Sequence, residues 1–152
     1  MKPPLLPGLV VLASLFFLQL PGLRAQTDDT QSPLWARIDL GSNRIVKLRN
    51  SHAAFERVGL DPDQTIEITL QYPVEMAGQA IVAEPLDGGR VTVSGKGLVI
   101  NAEGRASFQF KARDVTGEAR ISLYAGETLQ TLRFWVRDKE HPERNPKVAR
   151  GS

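Results

Sequence analysis

Trp35, Tyr124 and Trp135 are the side chains of this sequence best placed to bind something. Each is out of phase with apolar neighbours: Trp35 with Leu34, Ala36 and Ile38, Tyr124 with Leu123, and Trp135 with Leu132, Phe134 and Val136. On alternation alone, their rings stand on the outer face of a sheet. There an aromatic ring stacks on a sugar or anchors a partner protein. The competing use of the two Trp is to cover a sheet edge or to lie under a loop. Nucleophilic chemistry has less to work with. Ser94 and Ser107 fall on strand-like segments without a Gly-x-Ser-x-Gly elbow, and His52 is the only base in view, so nothing joins Ser, His and Asp into a relay. Zinc requires three or four converging ligands, and the chain offers His52, His141 and no Cys. Asp61 and Asp63 around Pro62 could supply oxygens to Ca²⁺, but two turn-forming Asp are the commoner use of that pattern. The Gly residues flank turns and open no strand-to-helix phosphate loop. The expectation is a protein that is not an enzyme, with no catalytic or metal residues and no cofactor.

The elements that position these residues begin after a leader. Lys2 is followed by an apolar run from Leu9 to Leu20, a Pro21-Gly22 break and Ala25, the pattern of a secretory signal over residues 1–25. The run is shorter than the ~20 apolar residues of a transmembrane helix. Export to a periplasmic or extracellular location is therefore expected, without stable membrane insertion. Of 19 Lys+Arg and 17 Asp+Glu in the whole chain, the two basic residues Lys2 and Arg24 belong to the leader. What remains is formally neutral, which gives no reason to expect nucleic acid as a partner. Without Cys there is no disulfide to compensate for a small core, so burial and strand pairing must hold roughly 127 residues, the size of one domain.

Residues 26–33 are polar and aperiodic, a flexible lead-in. The domain is expected over 34–137. Leu34–Leu40 alternates, and Arg44–Leu48 returns as a hairpin after Gly41-Ser42-Asn43. Ser51–Leu60 is the one helical candidate, a connector with Ser51 as N-cap, Gly59 near its end and Phe55 plugging the core. Thr65–Gln71 is a clean strand. Gln79–Glu84 is more evenly apolar, as suits a strand buried on both faces or one crossing the domain. Arg90–Ser94 and Leu98–Ile100 suggest a hairpin around Gly95-Lys96-Gly97. Ala106–Ala112, Glu118–Tyr124 and Thr128–Val136 form a meander, with a bulge near Gln130-Thr131 as one way for Leu129 to rejoin the inner row. Residues 138–152, rich in Pro and charge, read as a disordered tail.

Such short strands with turn signals every 8–12 residues indicate an all-β sandwich or barrel. Gly78-Gln79-Ala80-Ile81-Val82, Asp87-Gly88-Gly89, Glu103-Gly104-Arg105-Ala106-Ser107-Phe108 and Gly117-Glu118-Ala119-Arg120-Ile121 together resemble the bacterial immunoglobulin-like domains of secreted and surface proteins. The resemblance covers about Thr65 to Val136 and rests on turn placement. It implies an antiparallel β-sandwich of about seven to eight strands, here with one short helical connector. It also implies adhesion, spacing or scaffold work, without catalytic residues. The expected function is a non-catalytic module for protein interaction or a structural role. The alternative is a carbohydrate-binding module with Trp35, Trp135 or Tyr124 as its platform. The expected partner is another protein or a cell-surface glycan.

Overall fold

The computed structural model describes residues 32–50 and 55–149. The leader and most of the lead-in lie outside them. Nine strands run in chain order through the described residues: β1 (Trp35–Asp39), β2 (Ile45–Arg49), β3 (Val58–Leu60), β4 (Thr65–Gln71), β5 (Val82–Pro85), β6 (Arg90–Thr92), β7 (Arg105–Lys111), β8 (Gly117–Ala125) and β9 (Thr128–Val136). They form one sheet of order β2-β1-β4-β7-β6 and a second of order β3-β9-β8-β5. The architecture is all-β and sandwich-like.

Alternation carries most of this arrangement. In β7 the even positions Ala106, Phe108 and Phe110 are buried and the odd ones exposed, and β4 likewise buries Ile66, Ile68 and Leu70, with the positions between them exposed or half-buried. The two strands pair antiparallel over their whole length, so both apolar rows enter one core. From the other sheet, β8 contributes Ala119, Ile121 and Leu123, and β9 contributes Leu132, Phe134 and Val136. The layers meet where the Phe110 ring stacks on Phe134, with centroids 5.8 Å apart.

Four expectations change. Val58–Leu60 is not part of a helix but an edge strand, all of it buried and parallel to Phe134–Val136. Two short turns of apolar sequence gain more from joining an existing sheet than from a helix too short to hold itself. Phe55 is buried in the core, and Ser51–Ala54, including the expected cap, lie outside the described residues. The sandwich thus has a parallel edge pair. Leu98–Ile100 does not pair with Arg90–Ser94. It lies against Gln79–Ile81, with the Ile81 and Ile100 N–H groups donating to the Leu98 and Gln79 carbonyls at 2.9 and 3.0 Å. The Gln79–Glu84 stretch is likewise not buried on both faces, since β5 is an edge strand and its Val82 is exposed. Finally, β8 and β9 pair without a bulge from Gly117↔Val136 to Ala125↔Thr128, which leaves Leu129 outside and turns Gln130 inward.

Tyr72 follows β4 into the core at 1% exposure, and burial holds its hydroxyl well above its ordinary pKa. The unfolded chain releases that proton near pH ~10 while the fold keeps it. Stability from this group is therefore complete below about pH 10 and declines as the pH rises beyond it. Urea titrations at about pH 8 and about pH 11 are expected to show a smaller alkaline loss in Tyr72→Phe than in the unmodified protein. Equal losses would show that Tyr72 does not drive the decline.

Candidate binding surfaces

The outward side chains of β8 are Glu118, Arg120 and Tyr124, with Ser122 on the same face but buried, and those of β9 are Leu129, Thr131, Arg133 and Trp135. Trp135 lies opposite Glu118. Its indole N–H donates to Asn145 Oδ1 at 3.2 Å, and the Arg57 guanidinium sits 5.7 Å from the ring centroid. Arg57 in turn pairs with Glu118, which also draws Arg120 and Arg133 to 3.7 Å. The ring is half-buried beneath a lattice of polar groups.

Asn145 belongs to the segment expected to be a disordered tail, and residues 138–149 are instead laid back on the sheet. Asn145 Oδ1 also accepts from the Asp138 N–H at 2.8 Å, and its amide donates to the Asp138 carbonyl at 2.9 Å. The Asp138 carboxylate accepts the backbone N–H groups of His141 and Glu140 at 3.0 Å each, which lowers its pKa and shapes a single turn at Pro142–Arg144. The Ala149 N–H then donates to the Arg57 carbonyl at 2.8 Å. Val148 packs on Gly59, where an added Cβ would meet its methyl at 3.0 Å. Composition argues for disorder here, but two side chains that satisfy backbone groups are enough to hold the path.

Asp87 and Arg120 form a second fixed pair. The guanidinium makes two bonds of 2.8 and 2.9 Å to the carboxylate. Those bonds, with the Arg120 N–H, hold the Asp87 pKa below its ordinary value. The pair ties the turn after β5 to β8, while its exposure keeps the energetic return small.

Further along the same face, beyond the row of Ser122 and Thr131, lies an apolar row. Tyr124 pairs with Val82 on one side and Leu129 on the other, at exposures of 37%, 59% and 52%. Tyr124 was legible as an outward aromatic. Val82 and Leu129 were not, although Leu129 is out of phase with Leu132 and Phe134, and that phase was the available signal.

Trp35 stands on the other sheet. The row through it runs Arg49, Trp35, Gln71, Arg105 across β2, β1, β4 and β7, and the next runs Lys47, Arg37, Thr69, Ser107. Lys47 Nζ lies over the Trp35 ring, 4.5 Å from its centroid. Gln71 Oε1 accepts from Arg105 Nε at 3.2 Å, and the Thr69 and Ser107 hydroxyls are 3.0 Å apart. The three candidate aromatics therefore do not form one platform. Trp35 faces away from the other two, and Glu118, beside Trp135, is six residues from Tyr124 along β8, about 20 Å at ~3.3 Å per residue.

No family model, curated protein or solved structure matches the chain.

The remaining candidates resolve into ordinary contacts. Asp61 accepts a bond of 2.7 Å from Arg137 Nη2, with Lys139 at 3.9 Å, and Asp63 takes a positive φ of 60° in a turn. Among the described residues no three His, Cys, Asp or Glu side chains converge. His141 faces Asp138, at 3.5 Å, and His52 lies outside the described residues. Ser94 and Ser107 border a shallow hollow that also touches Glu67 and Gln109. A larger open cleft of about 730 Å³ lies beneath the C-terminal segment, bordered by Arg44, Gly59, Arg137, Asn145 and Lys147.

Proposed function

We propose that this chain is an exported, non-catalytic immunoglobulin-like module that docks another protein on the outer face of the four-stranded sheet. The fold assignment draws support from connectivity. The orders β1-β4-β7-β6 and β9-β8-β5 follow the A-B-E-D and G-F-C orders of immunoglobulin sheets, with β2 and β3 as added edge strands. Export rests on the leader pattern, with cleavage after Ala25 leaving Gln26 as the new N-terminus.

The observation that carries the docking reading is the row Val82–Tyr124–Leu129. Three large apolar side chains side by side on adjacent strands keep much of their surface in water, which is the composition of an interface centre more than of a solvated face. The next row, Glu84, Ser122 and Thr131, borders it and would form its polar rim, with Arg120 and Arg133 of the ion-paired lattice one row beyond. A neutral-sugar platform at Trp135 has little to recommend it, because Asn145 and Arg57 already occupy the ring.

The test places a photo-activatable cross-linker at Leu129 or, on the opposite sheet, at Gln109 in cells that export the protein. The expected result is one discrete adduct from position 129 and none from 109, its share of this chain beginning at Gln26. Adding Tyr124→Ser should weaken capture about tenfold, a loss of ~1.4 kcal/mol. The same adducts from both positions, or none from 129, would overturn the docking surface.

A further inference from the structure

We infer that the outer face of the five-stranded sheet binds an acidic polysaccharide, a chain bearing carboxylate or sulfate groups, along the two rows centred on Trp35. This goes beyond the protein-docking reading and uses the opposite side of the sandwich. The formal neutrality of the chain without its leader conceals a separation of charge between the faces. On the four-stranded sheet, cations and anions are paired with one another, as in Arg57–Glu118 and Arg120–Asp87. On the five-stranded sheet, the two rows hold Arg37, Lys47, Arg49 and Arg105 and no acidic side chain. The ion pairs of the described residues include none of these four cations. The nearest carboxylates belong to the next row, which holds Asp39 and Glu67, and to Glu103 in the turn that precedes β7.

Trp35 changes role in this setting. With Lys47 Nζ over its ring, that face is not offered to a sugar. The indole is instead a pedestal that holds an ammonium group in place through cation–π attraction, lowering the ordering cost of using it. Arg105 is similarly steadied by Gln71, whose amide donates to the Glu103 carbonyl at 2.8 Å.

Geometry selects among polyanions. From Arg49 to Arg105 the upper row crosses three strand spacings, about 14 Å, and the rows lie ~7 Å apart. A flat field of that size suits an extended chain with repeated charges more than a compact anion. Beside the cations stand the Thr69 and Ser107 hydroxyls, neutral groups that can donate to and accept from sugar hydroxyls. Single-stranded nucleic acid is held by bases stacked on successive aromatics. Here one aromatic is present, and a cation lies over it.

The test is affinity electrophoresis of the purified protein through gels containing polygalacturonate, dextran sulfate or neutral dextran. Polyglutamate and an oligodeoxynucleotide serve as competitors. Retardation is expected with one or both acidic polysaccharides and not with dextran, and it should vanish near 1 M salt, where charges are screened within about 3 Å. Preference for polygalacturonate or dextran sulfate identifies the carboxylate or the sulfate as the group recognised. The double variant Lys47→Gln/Arg49→Gln should weaken retardation roughly tenfold, the scale of two exposed charge contacts. The charge-matched control Arg90→Gln/Lys111→Gln, on β6 and β7 of the same sheet, should leave it within about twofold. Equal loss in both variants would reduce the effect to net charge and overturn the site. So would retention on neutral dextran, or tighter competition by polyglutamate or DNA than by either polysaccharide.

Discussion

Phe110→Ala is expected to remove about 3–5 kcal/mol of stability, a large part of the ~5–15 kcal/mol that holds a typical domain together. Phe110 is fully buried in β7, and its ring stacks on Phe134 of the opposite sheet. The ring also fills the space beside Gly89, where an added Cβ would meet it at 2.6 Å. Truncation therefore opens a void at the seam between the layers and against the turn that leads into β6, and neither can collapse far without breaking strand pairing. Gln109→Ala, one residue earlier on the exposed face, should cost well under ~1 kcal/mol. Urea titration of both variants checks the register of β7. Similar midpoints for the two would mean that the apolar row does not face the core.

That register was legible in the sequence because β7 meets two simple requirements at once, strict alternation and flanking turns. Thr65–Gln71 was legible on the same grounds, and its bounds coincide with β4. The meander fared well because its partners are neighbours in sequence. What was hidden depends on distant partners. Val58-Gly59-Leu60 has no alternation because every residue is buried, and its pairing with β9 joins segments more than 70 residues apart. Residues 138–149 were hidden for another reason. Their charge and proline content describes how they would behave alone, and says nothing of Asn145 finding both Trp135 and the Asp138 backbone.

The candidate sites divide in the same way. Alternation put Trp35, Tyr124 and Trp135 outside the core, and all three lie on outer faces. Alternation could not say which rings would be covered, since Lys47 reaches Trp35 only through β1–β2 pairing and Arg57 reaches Trp135 from before β3. Nor could a count of charges over the whole chain register that the cations of β1, β2 and β7 share one face. Strand order decides that, and strand order is a long-range property.

Gly104→Ala should be among the most damaging changes of a single methyl group. Gly104 has a φ of +81°, and an added Cβ would press on the Tyr72 carbonyl oxygen and lie 2.7 Å from Gln71 Nε2. The carbonyl cannot retreat, because Gln71 Nε2 donates to it and the Tyr72 N–H donates to the Gly104 carbonyl at 2.7 Å. The dihedral alone costs about 1–2 kcal/mol in an L-residue, and displacing the backbone contact should bring the total to ~3 kcal/mol or more. Gly78→Ala isolates the first part, since Gly78 has a similar φ of +88° with nothing within 4 Å of the added Cβ. Thermal melts should place Gly104→Ala well below Gly78→Ala, and equal melting temperatures would show that the crowding carries no weight. The change should also reach the cationic face. Gly104 precedes Arg105, and the Gln71 amide that the methyl would displace bonds to the Tyr72 and Glu103 carbonyls while its oxygen holds Arg105 Nε. At temperatures where Gly104→Ala is still folded, Arg105 should lose its fixed position and retention on acidic polysaccharide should fall, while Gly78→Ala leaves retention unchanged.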